Sequence, residues 1–356
     1  MRFFKLVLPV FTISIIFVSF YGCAKNETSP TTRTYKMGFQ NSAPKLDIAL
    51  FLKSLNLWTQ RADAAIISID LPWDAIYNGQ TAEKHINDNY KSLVDFYRSK
   101  GLELWVYVDP ANGLNRAIDA SALVAKGKSI SQNEVQKIYR RFAFVTDSIL
   151  KPEHFGLALE TNLLRSSSPD SIYQGVKKVA NAAAADIRAY DKKVKLSISI
   201  QVDYAWGKSQ NNTYIGVDKD FADFPFIQEL GLSSYPYFAF ENPQDIPINY
   251  YSKITEGRSI PVFVSEGGWS TEKVGTYNES LQKQNDYILQ QGLILDNAKA
   301  TALFQLLFTD LDASALPAGI SPNINLFTHI GLVDVNFNVK PSLAAWDNIF
   351  KRKYVK

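Results

Sequence analysis

The sequence is poor in the residues that most often carry metals and disulfides. Among 356 residues there is one cysteine, and there are three histidines. A single cysteine excludes an intrachain disulfide, so stability must come from core burial. His85, His154 and His329 are too far apart to share a short ligand spacing, which argues against a zinc or two-metal hydrolase. We therefore expect no metal and no cofactor.

Several functional signatures are also missing. There is no Gly-x-Ser-x-Gly segment, which disfavours a serine hydrolase. The net charge of +3 comes without a Lys/Arg cluster or an alternation of basic and aromatic residues, so we exclude nucleic acid as a partner. The segment Gly38-Phe39-Gln40-Asn41 is not a glycine-rich phosphate loop, which disfavours an open, doubly wound sheet.

The N-terminal segment has the pattern of an export signal. Two positive charges in residues 1–5 precede an apolar run over residues 6–20, and Tyr21-Gly22-Cys23 and a polar stretch follow. We predict a signal peptide over residues 1–22 and a polar tether over residues 23–35. The alternative is an uncleaved membrane anchor, which the shortness of the apolar run disfavours.

The only cysteine stands where this apolar run ends, and Tyr21-Gly22-Cys23 resembles a bacterial lipoprotein lipobox. The resemblance implies an exported protein held at a membrane by a lipid on Cys23. Ala24, directly after the cysteine, favours the outer membrane or the cell surface over the inner membrane.

Eight apolar, β-branched segments alternate with helical patterns over the rest of the chain. Each ends in polar or aromatic residues. The predicted strands are Tyr35–Gln40, Ala64–Asp70, Glu103–Asp109, Phe155–Glu160, Lys195–Asp203, Leu230–Tyr237, Ile260–Glu266 and Ala302–Phe308. Predicted helices lie over residues 46–57, 86–97, 135–149, 171–190, 281–295 and 341–350. Residues 36–356 are therefore predicted to form a single-domain (β/α)₈ barrel, which we expect to be monomeric.

Two of these strands end in glutamate. Phe155-Gly156-Leu157-Ala158-Leu159 leads to Glu160, and Ile260-Pro261-Val262-Phe263-Val264-Ser265 leads to Glu266. Barrel enzymes carry their catalytic residues at the carboxyl ends of the strands. Glycoside hydrolysis requires at least two carboxyl groups, and the ends of these two strands would place them there.

Other polar and aromatic residues at the strand ends suit a carbohydrate substrate. Carboxylates and amides bind hydroxyl groups, and aromatic rings stack on the C–H faces of sugar rings. The candidate substrate-binding residues are Asp70, Trp73, Asp109, Asn162, Asp203, Trp206, Tyr235, Tyr237, Trp269 and Gln305.

The order of these residues resembles that of the retaining (β/α)₈ glycosidases with glutamates on strands four and seven, in particular endo-β-galactanases and endo-β-1,3-glucanases. The resemblance rests on Val264-Ser265-Glu266-Gly267-Gly268-Trp269, on Ser234-Tyr235-Pro236-Tyr237 and on the tail from Gly331 to Trp346. It implies that Glu266 is the nucleophile, that Glu160 is the acid/base, and that Tyr235 or Tyr237 orients Glu266.

The sequence departs from that clan at three places. Leu159 stands where an asparagine precedes the acid/base, no arginine follows the second strand, and the eighth strand lacks a tryptophan. Two further hypotheses therefore stay open. The barrel could be a non-catalytic carbohydrate-binding lipoprotein, or a surface scaffold whose aromatic mouth binds protein.

Overall fold

Eight parallel strands form a closed barrel in the computed structural model, which describes residues 30–356. Each strand pairs with the next in the chain, and the last pairs with the first. The predicted (β/α)₈ fold is confirmed. The strands are β1 Lys36–Gln40, β2 Ala64–Asp70, β3 Glu103–Asp109, β4 His154–Gly156, β5 Lys195–Gln201, β6 Glu229–Ser234, β7 Val262–Gly267 and β8 Ala302–Gln305.

Helices surround the barrel, and five of the six predicted helices begin and end within three residues of the predicted bounds. The helix predicted over residues 86–97 instead begins at Ser92. The helices are α1 Ile48–Trp58, α2 Trp73–Tyr77, α3 Ala82–Ile86, α4 Ser92–Ser99, α5 Ser121–Ala125, α6 Asn133–Leu150, α7 Thr161–Ser167, α8 Asp170–Tyr190, α9 Val202–Ala205, α10 Asp218–Asp223, α11 Leu281–Ala298 and α12 Pro341–Phe350. A π-helical segment, Asn87–Lys91, joins α3 to α4. Capping side chains begin several helices. Asp47, for example, accepts the backbone N–H groups of Ala49 and Leu50 at the start of α1.

The barrel interior is filled by large side chains rather than open. Its apolar cluster is Ala64, Ile66, Trp105, Tyr107, Leu159, Phe263, Ala302 and Phe304. The Tyr107 ring fits because Gly156 on β4 has no side chain, and a Cβ there would lie 2.0 Å from the ring. The larger core lies between the strands and the surrounding helices. A ligand can therefore enter only at an end of the barrel.

Strand β3 shows how alternation distributes side chains along the barrel axis. Trp105 and Tyr107 belong to the interior cluster, and Glu103 and Asp109 share their side of the strand at its two ends. Glu103 therefore meets His154 at the amino-terminal end, while Asp109 lines a cavity at the carboxyl end. Both ends of the barrel thus receive charged side chains.

Strand β7 contains an irregularity next to Glu266. Leu232 pairs with Val264, but the next residue of β6, Ser233, pairs with Glu266 and leaves Ser265 as an extra residue. Phe263 belongs to the interior cluster, so strict alternation would turn residue 265 inward and Glu266 outward. The bulge shifts this alternation by one residue and turns Glu266 toward the interior.

The folded unit extends beyond the predicted domain boundary at its N-terminal side. Thr32–Lys356 form one compact unit, in which Thr32–Arg33 pair in parallel with Lys353–Tyr354. Arg33 is buried and bridges Asp63 at 2.7 Å. Four residues of the predicted tether, Thr32 to Tyr35, thus belong to this unit. The predicted signal peptide and Cys23 lie outside the described residues, and within residues 30–356 no helix is long and apolar enough to cross a membrane.

Candidate active site

The carboxyl ends of the strands and the loops that follow them line a cavity of about 830 Å³. A volume of this order suits a small ligand or a short stretch of a polymer. Seven charged residues face it: Asp70, Asp109, Glu160, Asp203, Glu266, Arg116 and Lys208. Its aromatic wall consists of Tyr204, Tyr235, Phe238, Tyr277 and Phe327. Negative charge, hydroxyl groups and aromatic rings thus surround the space.

Glu160 is held in an unusual backbone conformation at the start of α7. Its φ of 48° lies in the left-handed region, which non-glycine residues rarely adopt. The backbone N–H of Glu160 donates to Ser199 Oγ at 2.9 Å, and the residue is 8% exposed. Backbone strain of this kind costs about 1–3 kcal/mol and concentrates at functional sites. The conformation marks Glu160 as a residue whose placement the fold maintains against strain.

A single serine joins Glu160 to Glu266. Ser233 Oγ lies 2.7 Å from Oε1 of Glu160 and 2.9 Å from Oε1 of Glu266. The two carboxylate oxygens therefore cannot lie farther apart than these two distances together. The glutamates from β7 and from the end of β4 act as neighbours, as the sequence predicted.

Arg116 binds the other side of Glu160. Its Nε donates to Oε2 of Glu160 at 2.9 Å, and one terminal nitrogen donates to Oδ2 of Asp109 at 2.6 Å. All three side chains are buried. The guanidinium thus stabilises negative charge on Glu160, and it comes from the loop between β3 and α5 rather than from a strand end.

The environment of Glu266 favours its protonated form. Burial, and then the negative charge of Glu160, raise the pKa of Glu266 to about 7, although Arg116 and Ser233 act in the opposite direction. Two neighbouring carboxyl groups in the same site therefore have different surroundings. One is paired with a guanidinium, and the pKa of the other is raised toward neutral pH.

Six of the predicted site residues line the cavity. They are Asp70, Asp109, Glu160, Asp203, Tyr235 and Glu266. Asp203 is buried and accepts hydrogen bonds from Tyr250 and from Gln201, the latter at 2.8 Å. Every predicted carboxylate belongs to this group, because a carboxylate buried without partners or water would be too costly.

The other six predicted residues do not line the cavity: Trp73, Asn162, Trp206, Tyr237, Trp269 and Gln305. Their polar groups bind the protein itself. Trp206 Nε1 donates to the carbonyl of Tyr250, and the two rings stack with centroids 5.4 Å apart. Trp269 Nε1 donates to Glu279 at 2.5 Å, and the Trp269 indole is buried.

The two amides and the remaining aromatics of this group brace the barrel. Asn162 makes two hydrogen bonds to the backbone of Gln201, and Gln305 donates to Gln291 at 2.9 Å. The Tyr237 hydroxyl donates to the carbonyl of Leu326, and Trp73 is buried in the core. The positions of these six residues do not support their assignment to substrate binding. Their rings and amides pack within the protein and do not reach the cavity.

The residue that contacts Glu266 is not one of the predicted tyrosines. Among residues 30–356, neither Tyr235 nor Tyr237 hydrogen-bonds to Glu266, whereas Ser233 does. Ser233 could have been found from the sequence, since it lies two residues before Tyr235 and alternates with Gly231, which faces Tyr107. Arg116 carried no such signal, because a loop side chain can point anywhere until the fold places it.

Three further observations concern Leu159, His154 and metal binding. Leu159 lines the cavity directly before Glu160, so the position where the clan has an asparagine offers no hydrogen bond here. His154 is buried at the opposite end of the barrel, in agreement with a structural role. Residues 30–356 contain no group of three side chains arranged to hold a metal ion.

Comparison with known proteins finds similarity in structure but not in sequence. No family profile matches the chain, and no curated protein matches it. Solved structures match over most of it. The exo-β-1,4-mannosidase from Opitutaceae bacterium strain TAV5 has a TM-score of 0.66 at 15% identity, with 89% of this chain and 59% of that chain covered.

Two other solved structures are similar over larger shares of their own length. A GH5_18 protein from Bifidobacterium longum, crystallised with Manβ1-4GlcNAc, has a TM-score of 0.60 at 14% identity, with 89% of this chain and 78% of that chain covered. The β-glucosidase from Thermotoga maritima has a TM-score of 0.59 at 13% identity, with 86% and 87% covered. This chain has the barrel fold of these glycosidases. The narrower resemblance to galactanases and glucanases stays a prediction.

Proposed function

We propose that this protein is a glycoside hydrolase that cleaves β-linked poly- or oligosaccharides, with Glu160 and Glu266 as its catalytic pair. The observation that carries the proposal is the bridge that Ser233 makes between the two carboxyl groups inside the cavity. It brings together two acids, from β7 and from the end of β4, at the barrel end where enzymes of this fold work.

The closeness of the two carboxyl groups supports a double displacement with retention. Retaining glycosidases hold their carboxyl groups about 5–5.5 Å apart, and inverting enzymes about 6.5–9.5 Å apart to admit a water molecule. The two distances to Ser233, 2.7 and 2.9 Å, together limit the separation of the nearest Glu160 and Glu266 oxygens to less than the inverting range.

In such a reaction one carboxylate attacks the anomeric carbon while the other carboxyl group protonates the departing oxygen. The second group then removes a proton from water, which displaces the sugar from the first. The chemistry requires one ionised and one protonated carboxyl group and no cofactor. Arg116 donates to Glu160, while burial and the neighbouring carboxylate raise the pKa of Glu266 to about 7, so the surroundings of the two groups differ as this chemistry requires.

The class of substrate is supported by the cavity and by the structural neighbours. Aromatic side chains such as Tyr204, Tyr277 and Phe327 offer ring faces, and carboxylates offer acceptors for hydroxyl groups. The similar solved structures include a β-mannosidase and a β-glucosidase. We therefore place β-linked glucose, mannose or galactose units first among the substrates.

We further propose that the protein is exported and bound to the outer membrane or the cell surface through a lipid on Cys23, and that it acts as a monomer. The support is the apolar run over residues 6–20 and the single cysteine that follows it. Mass spectrometry of the purified full-length protein tests this. A mature chain starting at a diacylated Cys23 is expected, and a chain that retains residues 1–22 contradicts it.

The hydrolytic activity is tested on a panel of β-galactans, β-glucans and β-mannans, with the chain starting at Ala24. Cleavage by the wild type that is lost in Glu266→Gln supports the proposal. Glu241→Gln serves as the matched control, because Glu241 is exposed and does not line the cavity.

Equal binding of a glycan by the wild type and the Glu266→Gln variant, without cleavage by either, would instead support a non-catalytic carbohydrate-binding protein. Leu159 is the observation that favours this second candidate, since it removes a polar contact next to Glu160. If the protein binds none of the three kinds of glycan, the hypothesis of a surface scaffold that binds protein remains.

A further inference from the structure

Three polar side chains at the ends of β1 and β2 face the cavity without a partner in the protein. Gln40 ends β1, and Ser68 and Asp70 stand on β2 at the spacing of Ala64 and Ile66, which fill the barrel interior. All three line the cavity, and within residues 30–356 none of their side chains makes a hydrogen bond or an ion pair. Polar groups that a fold leaves free in a cavity can bind a ligand.

Asp70 is the charged member of this group. It pairs in register with Asp109 on β3, and a Cβ added at Gly113 would lie 3.9 Å from its Oδ1, so the loop that carries Arg116 passes beside it. Arg116 nevertheless donates to Asp109 and to Glu160. Desolvation, and then the charge of Asp109, raise the pKa of Asp70 to about 6, which leaves it mostly ionised at neutral pH.

The cavity offers little positive charge to balance an anionic ligand. Five carboxyl groups and two cations face it, and one of the cations, Arg116, is already bound to two carboxylates. The other is Lys208, which follows β5, three strands away from β2 around the barrel. Its Nζ lies 4.6 Å from the centre of the Phe240 ring. An anionic sugar next to Asp70 would therefore meet a second negative charge and no free cation.

We infer that Asp70 binds the hydroxyl groups of an uncharged sugar unit and excludes sugar units that carry a carboxylate. This inference rests on the proposed function and narrows its substrates to neutral β-linked sugars. A carboxylate can accept a hydrogen bond from a hydroxyl group on each oxygen, and it repels a second carboxylate strongly in a cavity that holds little water. Gln40 and Ser68 add neutral donors and acceptors beside it.

Matched pairs of polymers test the inference. Each β-glycan of the panel is assayed beside the same polymer oxidised at C6, where a carboxylate has replaced the hydroxymethyl group. The full-length wild type, Asp70→Asn and the control Asp88→Asn are compared by kcat/KM. Asp88 is half-exposed in the π-helical segment, and its only ion pair is with Lys84 among the described residues. Asp70→Asn should fold, because the change keeps the shape of the side chain and removes a charge that has no partner.

We expect the wild type to cleave the neutral polymer about 100-fold better than its oxidised form, since like charges placed together are strongly disfavoured. In Asp70→Asn, kcat/KM on the neutral polymer should fall about 10- to 100-fold, as for the loss of hydrogen bonds to a charged group. The oxidised polymer should lose less, so the ratio of the two values should fall about tenfold or more. Asp88→Asn should keep the wild-type ratio.

Two results overturn the inference while the hydrolase stands. One is equal cleavage of both forms by the wild type. The other is an unchanged ratio in Asp70→Asn, because a residue with a merely structural role would lower both values together. If the wild type prefers an oxidised polymer and Lys208→Met abolishes this preference, Lys208 selects the substrate and the inference is also wrong.

Binding decides the matter if the wild type cleaves no polymer, a result that overturns the proposed hydrolase. Isothermal titration calorimetry then compares tetrasaccharides of each β-glycan with their C6-oxidised forms. A neutral tetrasaccharide that binds about tenfold more tightly than its oxidised form, with the difference lost in Asp70→Asn, supports the inference. Equal affinities, or no binding of any neutral tetrasaccharide, overturn it.

Discussion

The two ends of this barrel both bury charged side chains, but only one end leaves them unbalanced. At the amino-terminal end, His154 lies between Glu103 and Glu229, with 2.8 Å to each, and Lys36 binds Glu103. At the carboxyl end, Arg116 satisfies Glu160 and Asp109 but leaves Glu266 with one serine contact. The first arrangement gives every charged group a partner, and the second leaves Glu266 without a direct ion pair.

The pKa shifts at the amino-terminal end follow from complete pairing. Burial opposes a charge on His154, yet hydrogen bonds to Glu103 and Glu229 raise its pKa above the ordinary value. The same contact with His154 lowers the pKa of Glu103 to about 2. The histidine ring also stacks on Trp105 with centroids 3.6 Å apart. Every charge here has a partner in the folded state.

The carboxyl end shows the opposite pattern, because the pKa of Glu266 is raised rather than lowered. A carboxyl group whose pKa rises on folding destabilises the folded state once the pH exceeds its ordinary pKa. The comparison teaches that burial of charge is by itself no sign of a functional site. A functional site is indicated instead when a buried charged group lacks a partner of opposite charge.

Removal of either glutamate at the mouth should have the largest effect. Glu160→Gln and Glu266→Gln keep the shape of the side chain but cannot exchange the carboxyl proton or carry the charge. We expect kcat on natural β-glycans to fall by about 10³-fold or more, since proton transfer by a positioned group alone contributes about 10²–10⁴-fold. Steady-state kinetics check this, and a loss in Glu241→Gln of similar size would mean that the assay reports stability.

His154→Ala at the opposite end should affect stability and not chemistry. It leaves Glu229 buried without its partner, and breaking such a buried pair costs about 3–5 kcal/mol. Urea unfolding measures the cost, with His85→Ala as the control because His85 is partly exposed on α3. If kcat per folded molecule falls with stability, the two ends are coupled and the comparison fails.

The two ends of the barrel should also differ in how the free energy of unfolding depends on pH. The pKa of Glu266 is about 7 in the folded protein against an ordinary 4.5, so its contribution worsens as pH rises through this window and is constant above it. The Glu266→Gln variant should equal the wild type near pH 4 and be the more stable protein at pH 8. Unfolding free energies at both values test this. If the wild type and Glu266→Gln differ in unfolding free energy by the same amount at both pH values, the raised pKa of Glu266 is contradicted.

The raised pKa of His154 has a different window. Its contribution is fully present below the ordinary value of 6.5 and is lost as pH rises through the higher folded value. Replacement by glutamine should therefore flatten the stability curve above pH 6.5 and leave the region between 4.5 and 6.5 unchanged in slope. If the stability curve instead flattens below pH 6.5, a group other than His154 causes the pH dependence.

The smallest effect is expected at the rim of the cavity. Asn323 Nδ2 donates to the carbonyl of Leu114 at 2.7 Å and ties the loop after β8 to the loop that carries Arg116. Asn323→Ala should cost about 1 kcal/mol or less in stability. We expect a raised KM with kcat nearly unchanged, and a fall in kcat with constant KM would show that this link positions Arg116 for the chemistry.

The sequence by itself determined the architecture and the acidic residues that line the cavity. The alternation of apolar strands with helical patterns gave the barrel, with β2 and β3 at their predicted bounds. Strands β4 and β8 end earlier than predicted, at Gly156 and Gln305. The predicted carboxylates all line the cavity, because a charged group avoids the apolar core and a strand can place it at an end of the barrel.

Tertiary structure alone decided which aromatic and amide residues line the cavity. Trp206, Trp269, Asn162 and Gln305 also stand at strand ends, but their side chains can be buried once they find a hydrogen-bond partner. Whether a partner exists depends on residues far along the chain, which no local pattern shows. The four residues bind the protein in this way and do not line the cavity, whereas the predicted carboxylates do.

Tertiary structure also decided the orientation of Glu266 and the charges that surround it and Glu160. Period-two alternation from Phe263 turns Glu266 outward, and only the bulge at Ser265 turns it inward. The strand sequence does not reveal the bulge, because it exists only in the pairing with β6. Arg116 reaches Glu160 across 44 residues of sequence, so the charge balance of the site followed from the closed barrel and not from any motif.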